Sequence, residues 1–354
     1  MTRAELTKLN IGENLDHLMN LDPRGYGICR LLYKNSRSYT QAPLTIHAAE
    51  QLLQTIDAKA PVYIITGFIL APFNHPETDG AIGSVLLARA LILAADAKPF
   101  LICPEDAKKA IAHCAASIGL QVLETPEEVM STPLSIGVIP FTKEKKEAKN
   151  QAEDIISRFR LPSAVIAVEA PGANAEGEYH NAVGENVTPL EAKSDTLFYL
   201  LRQKGVMSLA IGDLGNEIGM GTIGTGIRKN IPYTDKGECR CGCKGGILAA
   251  SEADCIITAT TSDWGCYGLI AALAYLKRNM KIMHTGETEA KLIDTACKNG
   301  LIDMNGPGIQ GIDGFPMEMN AEIVSLMRSC VEYALDYEKT GGHWFDGVIE
   351  KMDL

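Results

Sequence analysis

No apolar run in this chain of 354 residues reaches the roughly 18 residues that a membrane-spanning helix needs. The opening stretch MTRAELTKLNIGENLDHLMN also lacks the continuous apolar core of a secretory signal. A soluble, cytoplasmic protein with no membrane partner is the expectation. Positive charge is short as well. The 33 lysines and arginines stand against 44 acidic residues, and a net charge of −11 disfavours a nucleic-acid partner, because phosphate binding draws on clustered cations. The one basic run, Lys143, Lys145, Lys146 and Lys149, is interleaved with Glu144 and Glu147 and reads as a solvated helix or loop. Polar low-complexity tracts, long linkers and internal repeats are missing too. With 46% hydrophobic residues, that leaves a compact globular chain of one large or two closely joined domains.

Paired zinc-type cysteine motifs are also lacking. Ten cysteines in this length do not make a disulfide scaffold, and Cys103 and Cys255 fall in apolar, strand-like runs as reduced core residues. The one cluster is Cys239-Arg240-Cys241-Gly242-Cys243, followed by Lys244-Gly245-Gly246. Alternate cysteines can bind a soft metal or form a redox pair, but no second pair at zinc-ligand spacing accompanies them. A Gly-rich lid carrying free thiols is the plainer reading.

What is present is a repeated alternation of apolar runs and amphipathic helical stretches. It predicts an α/β fold, a largely parallel sheet flanked by helices. Strands are expected at 62–66, 99–103, 134–139, 164–168, 207–211, 255–259 and 281–283, and helices at 82–95 and 264–276. Residues 1–60 read as a helical lead-in, 61–340 as the α/β domain in one or two closely packed lobes, and 341–354 as a C-terminal tail.

Four of these strands run into polar loops: Thr66 to Gly80, Glu169 to Asn174, Gly212 to Gly221, and Thr261 to Gly265. In parallel sheets, ligands bind beyond the carboxyl ends of the strands, so the four loops should converge on one site there. The convergence gathers Glu77, Asp79, Glu169, Asp213 and Glu217, with Thr66, Thr78, Tyr179, His180, Asn181, Asn216, Ser262 and Asp263 as hydrogen-bonding partners. Like charges in one pocket raise one another's pKa, so a metal ion, a substrate ammonium group or bound protons must compensate. Oxygen ligands favour Mg²⁺ or Mn²⁺. Plainer readings exist for single residues. Thr78 or Asp79 can cap a helix starting near Ala81, Glu169 can pair with a lysine, and Trp264 is a packing residue before it is a stacking platform. His180 can act as acid or base near neutral pH, or simply hydrogen-bond, while His17, His47, His113, His284 and His343 show no zinc spacing.

The segments GDLGNEIGMG at 212–221, TGF with ETDG between Thr66 and Gly80, and SDWG at 262–265 resemble the GDGGNEIGMG, TGF...ETDG and SNWG motifs of the D-glutamate cyclase family. Asp22 to Gly27 and Ile312 to Pro316 match as well, so the resemblance spans nearly the whole chain. It implies a lyase that interconverts D-glutamate and 5-oxo-D-proline, or acts on a related amino acid. A small-molecule partner and no nucleotide follow from it; a homo-oligomer is left open. It also implies Asp213, Asn216, Glu217 and Glu169 as the catalytic group. Thr66, Gly67, Thr78, Gly80, Tyr179, His180, Asn181, Ser262 and Asp263 would contact substrate, and Glu77, Asp79 and Asp213 would hold a metal. The chain departs from the family pattern in having Ala170 at an arginine position, Asp263 at an asparagine and Leu214 at a glycine. A divalent-metal phosphatase and a non-catalytic small-molecule sensor are the competing expectations.

Overall fold

The computed structural model describes residues 2–340 and Lys351, so the expected tail at 341–354, His343 included, lies otherwise outside the described residues. Eleven strands occur among them: β1 (Pro61–Thr66), β2 (Ile69–Leu70), β3 (His75–Pro76), β4 (Lys98–Pro104), β5 (Gln121–Leu123), β6 (Ser135–Phe141), β7 (Ala164–Val168), β8 (Met207–Gly212), β9 (Cys255–Thr258), β10 (Gly311–Ile312) and β11 (Phe315–Pro316). Seven of them form one parallel sheet in the order β5-β6-β4-β1-β7-β8-β9, and the other four make two short hairpins. The register sets Tyr63 between Phe100 and Val165 at the middle of the sheet.

Every residue of β1, β4, β7 and β9 is buried, which is why these strands appear in sequence as continuous apolar runs rather than alternating ones. Successive side chains still divide between two layers. Val62, Ile64, Leu101, Ile166 and Leu209 face helices Ala81–Ala95 and Ser262–Leu276, while Tyr63, Ile65, Phe100, Val165 and Ala210 face helices Lys145–Phe159 and Asp195–Gln203. Helices Ala81–Ala95 and Ser262–Leu276 are apolar nearly all round, as helices within a core must be. Trp264 is fully buried there and its indole Nε1 donates to Asn320 Oδ1 at 2.8 Å. Packing is its role.

Six of the seven expected strands are present, and the seventh is corrected. Lys281 to Met283 form a turn between helices Ser262–Leu276 and Gly286–Lys298, where the carbonyl of Met283 accepts from Arg328 instead of from a neighbouring strand. Edge strand β5 carries an exposed Gln121 and no apolar run, so it escaped the pattern. The expected N-terminal helices are Arg3–Met19, Ile28–Thr40 and Leu44–Thr55, and the first and third bury Leu15, Met19, Leu44 and Leu52 in the same core as the sheet.

The sheet positions the site through its order. From β1 the chain first builds outward through β4, β5 and β6, then returns to β1's other side with β7 and continues through β8 and β9. Loops leaving β1 and β7 therefore diverge at their carboxyl ends and open a crevice.

Asp16 ties the first helix to the third. It is fully buried and accepts from the backbone N–H groups of Leu44 and Thr45 and from the Thr45 hydroxyl, at 2.7, 3.1 and 2.7 Å. Burial nevertheless pushes its pKa from 3.8 up to about 6. The folded state thus binds a proton that the unfolded chain has released. This contribution is complete below about pH 4 and is lost as pH rises through about 6. In urea titrations the stability of the wild type relative to Asp16→Asn should fall by on the order of 3 kcal/mol between pH 4 and pH 7. A pH-independent difference would show that Asp16 stays ionised in the fold.

Candidate active site

Two buried helices meet at the crevice and exchange carboxylates. Asp79 immediately precedes Gly80, the N-cap of helix Ala81–Ala95, yet it accepts from the first N–H groups of the other helix, Ser262 N at 3.0 Å and Asp263 N at 2.8 Å. Asp263, in the first turn of helix Ser262–Leu276, accepts in return from Gly80 N and Gly83 N, both at 2.9 Å. Each carboxylate satisfies amide donors that a helix leaves unpaired at its N-terminus, and each sits at the positive end of the partner's dipole. Gly80 is required for this approach: its φ is +75°, and a Cβ there would lie 2.4 Å from Glu169 Cβ. Gly67, with φ +105°, likewise has no room for a Cβ beside Pro104.

The loop after β8 is closed by its own glutamate. Glu217 Oε1 accepts from Asp213 N and Leu214 N, both at 2.8 Å, and Oε2 accepts from Gly215 N at 2.6 Å. Its carboxylate is committed to three backbone amides. Asn216 donates to the carbonyl of His180 at 2.9 Å, and the loop after β7 pairs with this one through Ile218 N to Ala170 O at 2.8 Å. Glu169 takes a left-handed φ of +42°, rare for a residue with a Cβ, and its Oε2 accepts from Ser262 Oγ at 2.6 Å.

Between these loops lies a cavity of about 230 Å³. Glu77, Asp79, Glu169, Asp213 and Asp313 line it together with Asn181 and Asn216, and Phe68, Phe73, Leu214 and Met304 supply apolar wall. Among the described residues no lysine or arginine lines it. Burial, then the neighbouring acids, drive the carboxyl pKa values up. Glu77, Glu169 and Asp213 are held well above the ordinary carboxylate range, and Asp79 is pushed up to about 7. Asp313 is raised by burial as well, against the opposing pull of Arg24, whose guanidinium lies 2.6 Å from Asp313 Oδ2. Asp79, Glu169 and Asp213 each offer an oxygen within 4.8 Å of the other two. Three oxygen donors beside the buried, unpartnered Thr66 Oγ1 suit a hard divalent cation.

A family profile described as D-glutamate cyclase-like, C-terminal, matches residues 15–328. The chain belongs to the D-glutamate cyclase-like family. A human relative, "D-glutamate cyclase, mitochondrial", is 28% identical over 271 residues, which cover 74% of this chain and 38% of that protein. The chain therefore matches well under half of that relative's length.

Apart from Thr66, Gly67 and Gly80, which do not line the cavity, the expected site residues divide into three sets. Glu77, Asp79, Glu169, Asp213, Asn181 and Asn216 line the cavity. Thr78, Ser262, Asp263 and Glu217 hold its walls; Thr78 does so by donating to Gly311 O at 2.9 Å. The third set lies outside the lining. Tyr179 is buried with its hydroxyl on Asp195, and His180 turns its ring towards Cys241 and Cys243. Arg24 and Asp313 were absent from the expected set, although both fall in matching segments of the family resemblance; their pairing joins residues 289 positions apart.

Asp263→Asn retains an oxygen for Gly80 N and Gly83 N and supplies an amide at Oδ2, which now lacks a partner. Its stability should lie within about 1 kcal/mol of the wild type or above it, whereas Asp263→Ala strands two buried donors and should lose about 2–5 kcal/mol. Chemical denaturation of both variants checks this. Equal losses would show that the exchanged carboxylate is not what holds the helices.

Proposed function

We propose that the cavity catalyses reversible ring closure of D-glutamate, or of a closely related amino acid, to its five-membered lactam with release of water. The observation that carries this reading is a small cavity lined by five acids with raised carboxyl pKa values and, among the described residues, by no lysine or arginine, in a chain of the D-glutamate cyclase-like family. An ammonium group is attracted to such a lining. Closing a five-membered ring also needs no second reactant, because a folded substrate brings its amine against its own γ-carboxyl carbon.

Two protons must travel from the substrate nitrogen to the departing oxygen. Glu77 suits that work: it lines the cavity, its carboxyl makes no hydrogen bond to the protein among the described residues, and burial raises its pKa well above the ordinary carboxylate range, which makes it a stronger base. As a carboxylate it removes a proton from the ammonium group, freeing the lone pair. The nitrogen then attacks the γ-carbon, the second nitrogen-bound proton is passed on, and the oxygen leaves as water. Asn216, its Nδ2 committed to His180 O, has Oδ1 available to orient the amine. Asp79, Glu169 and Asp213 would hold Mg²⁺ or Mn²⁺, which when bound supplies Lewis-acid polarisation of the γ-carboxylate. Glu217 shapes the loop and Asp263 the helix ends.

The phosphatase alternative fits less well, since with no lysine or arginine in the lining among the described residues a phosphate would rest on a bound metal alone, whereas an amino acid also brings an ammonium group to the acids. A sensor that kept the pocket and lost the chemistry would be favoured by the departures at Ala170 and Asp263, and neither residue lines the cavity.

Incubation with D-glutamate or 5-oxo-D-proline, with and without Mg²⁺ or Mn²⁺, should show interconversion by chiral chromatography. Glu77→Gln and Asp213→Asn should each lower kcat by about 10²–10⁴-fold while circular dichroism stays unchanged. Folded wild-type protein that converts neither compound under any of these conditions would overturn the reading.

A further inference from the structure

The three cysteines are free thiols, as expected, and they do not stand alone. Cys239, Cys241 and Cys243 gather around His180, which lies 61 residues before Cys241, and the four ligand atoms are all within 4.8 Å of one another. His180 Nε2 is 3.1 Å from Cys241 Sγ and 3.6 Å from Cys243 Sγ. Cys239 Sγ is 3.3 Å from Cys243 Sγ and 3.8 Å from Cys241 Sγ. A tetrahedral zinc with Zn–S near 2.3 Å and Zn–N near 2.0 Å requires ligand separations of about 3.5–3.8 Å. The thiols are therefore spaced close to what one shared ion needs, and no pair is at the roughly 2.05 Å of a disulfide. The surroundings are those of thiolates. Gly245 N and Asn174 Nδ2 both point donors at Cys243 Sγ, each at 3.4 Å, and Gly242 takes a φ of +75° in the tight turn that lets alternate cysteines face one point.

We propose that Cys239, Cys241, Cys243 and His180 form a structural zinc site that pins the Gly-rich segment around residues 231–247 to the wall of the acidic cavity. Three sulfurs and an imidazole are soft and borderline donors, matched to Zn²⁺ and not to the hard cations suited to the carboxylates. The second pair of cysteines that zinc motifs normally show is replaced by one more cysteine in the same run and a histidine from a different loop. The ion would act on the cavity through His180. The carbonyl of this residue accepts from Asn216 Nδ2, and the next three residues, Asn181, Ala182 and Val183, are lining residues. A further tie, Arg240 N to Gly184 O at 2.8 Å, runs alongside. The grouping of these four side chains does not rest on the reaction proposed above.

Protein expressed in zinc-containing medium and purified under reducing conditions should carry one zinc per chain by elemental mass spectrometry. Replacement by Co²⁺ should give the thiolate-to-cobalt charge transfer and visible bands of a tetrahedral centre. Cys241→Ser, at the exposed cysteine, and His180→Ala should each weaken zinc affinity at least about tenfold in competition with a chromophoric chelator. If a variant fails to fold, the Co²⁺ spectrum of the wild type decides. Reduced, folded wild-type protein that binds neither ion, or a Cys239–Cys243 disulfide that persists in anaerobically prepared protein, overturns the proposal.

Discussion

The site depends on the exchange of carboxylates between two buried helix N-termini. Helices Ala81–Ala95 and Ser262–Leu276 are too apolar to leave their ends in water, and both begin inside the protein. Unpaired amide donors in that position would each carry a penalty of about 1–3 kcal/mol. Asp79 and Asp263 remove it by reaching across, each to the other's helix. Because the partners are reciprocal, neither helix can shift without exposing donors on both. Glu169 is drawn into the same frame through Ser262 Oγ. The floor of the cavity is therefore set by the requirement to satisfy backbone groups before any ligand arrives.

That solution concentrates negative charge, which shapes what the cavity can accept. Five acids line it, while the guanidinium at its edge, Arg24, is spent on Asp313 and on a stacking contact with Phe315. In a buried place, carboxylates of this density either keep protons or attract cations. Both outcomes would serve the proposed amino-acid substrate: retained protons would make acid–base carriers, and an attracted cation would offset the repulsion that a substrate carboxylate otherwise meets. A ligand with a positive and a negative end fits such a cavity better than a simple anion does.

The strands were legible in the sequence because a parallel sheet covered on both faces demands unbroken apolar runs, and the polar loops were legible because they follow those runs. Lys281 to Met283 misled for the same reason, since a short apolar run packs as well in a buried turn as in a strand. The contents of the site were only half legible. Glu77, Asp79, Glu169 and Asp213 were identifiable from position, but the self-closing bonds of Glu217 depend on loop dihedrals at Gly215 and Gly219 that residue types do not encode. Arg24 with Asp313, and His180 with the cysteines, are joined only by tertiary folding across long stretches of chain. Local spacing carries no trace of them.

The departures from the family pattern weigh less once their surroundings are known. Ala170 is fully buried in the apolar layer that contains Ala210 and Ile218, so this position does not present a side chain to the cavity. Asp263 acts through one oxygen, an acceptor that asparagine also has, and the change is felt in the burial of a carboxyl group and not in contact with a ligand. Leu214 is different. It lines the cavity where the family pattern has glycine, and its own N–H is one of the three amides that Glu217 gathers. A branched apolar side chain there narrows the space beside the acids without altering their charge or hydrogen bonding. Of the three departures, Leu214 is thus the one that, in the proposed reaction, would bear directly on substrate choice, through the size and polarity of the group accommodated next to Asp213.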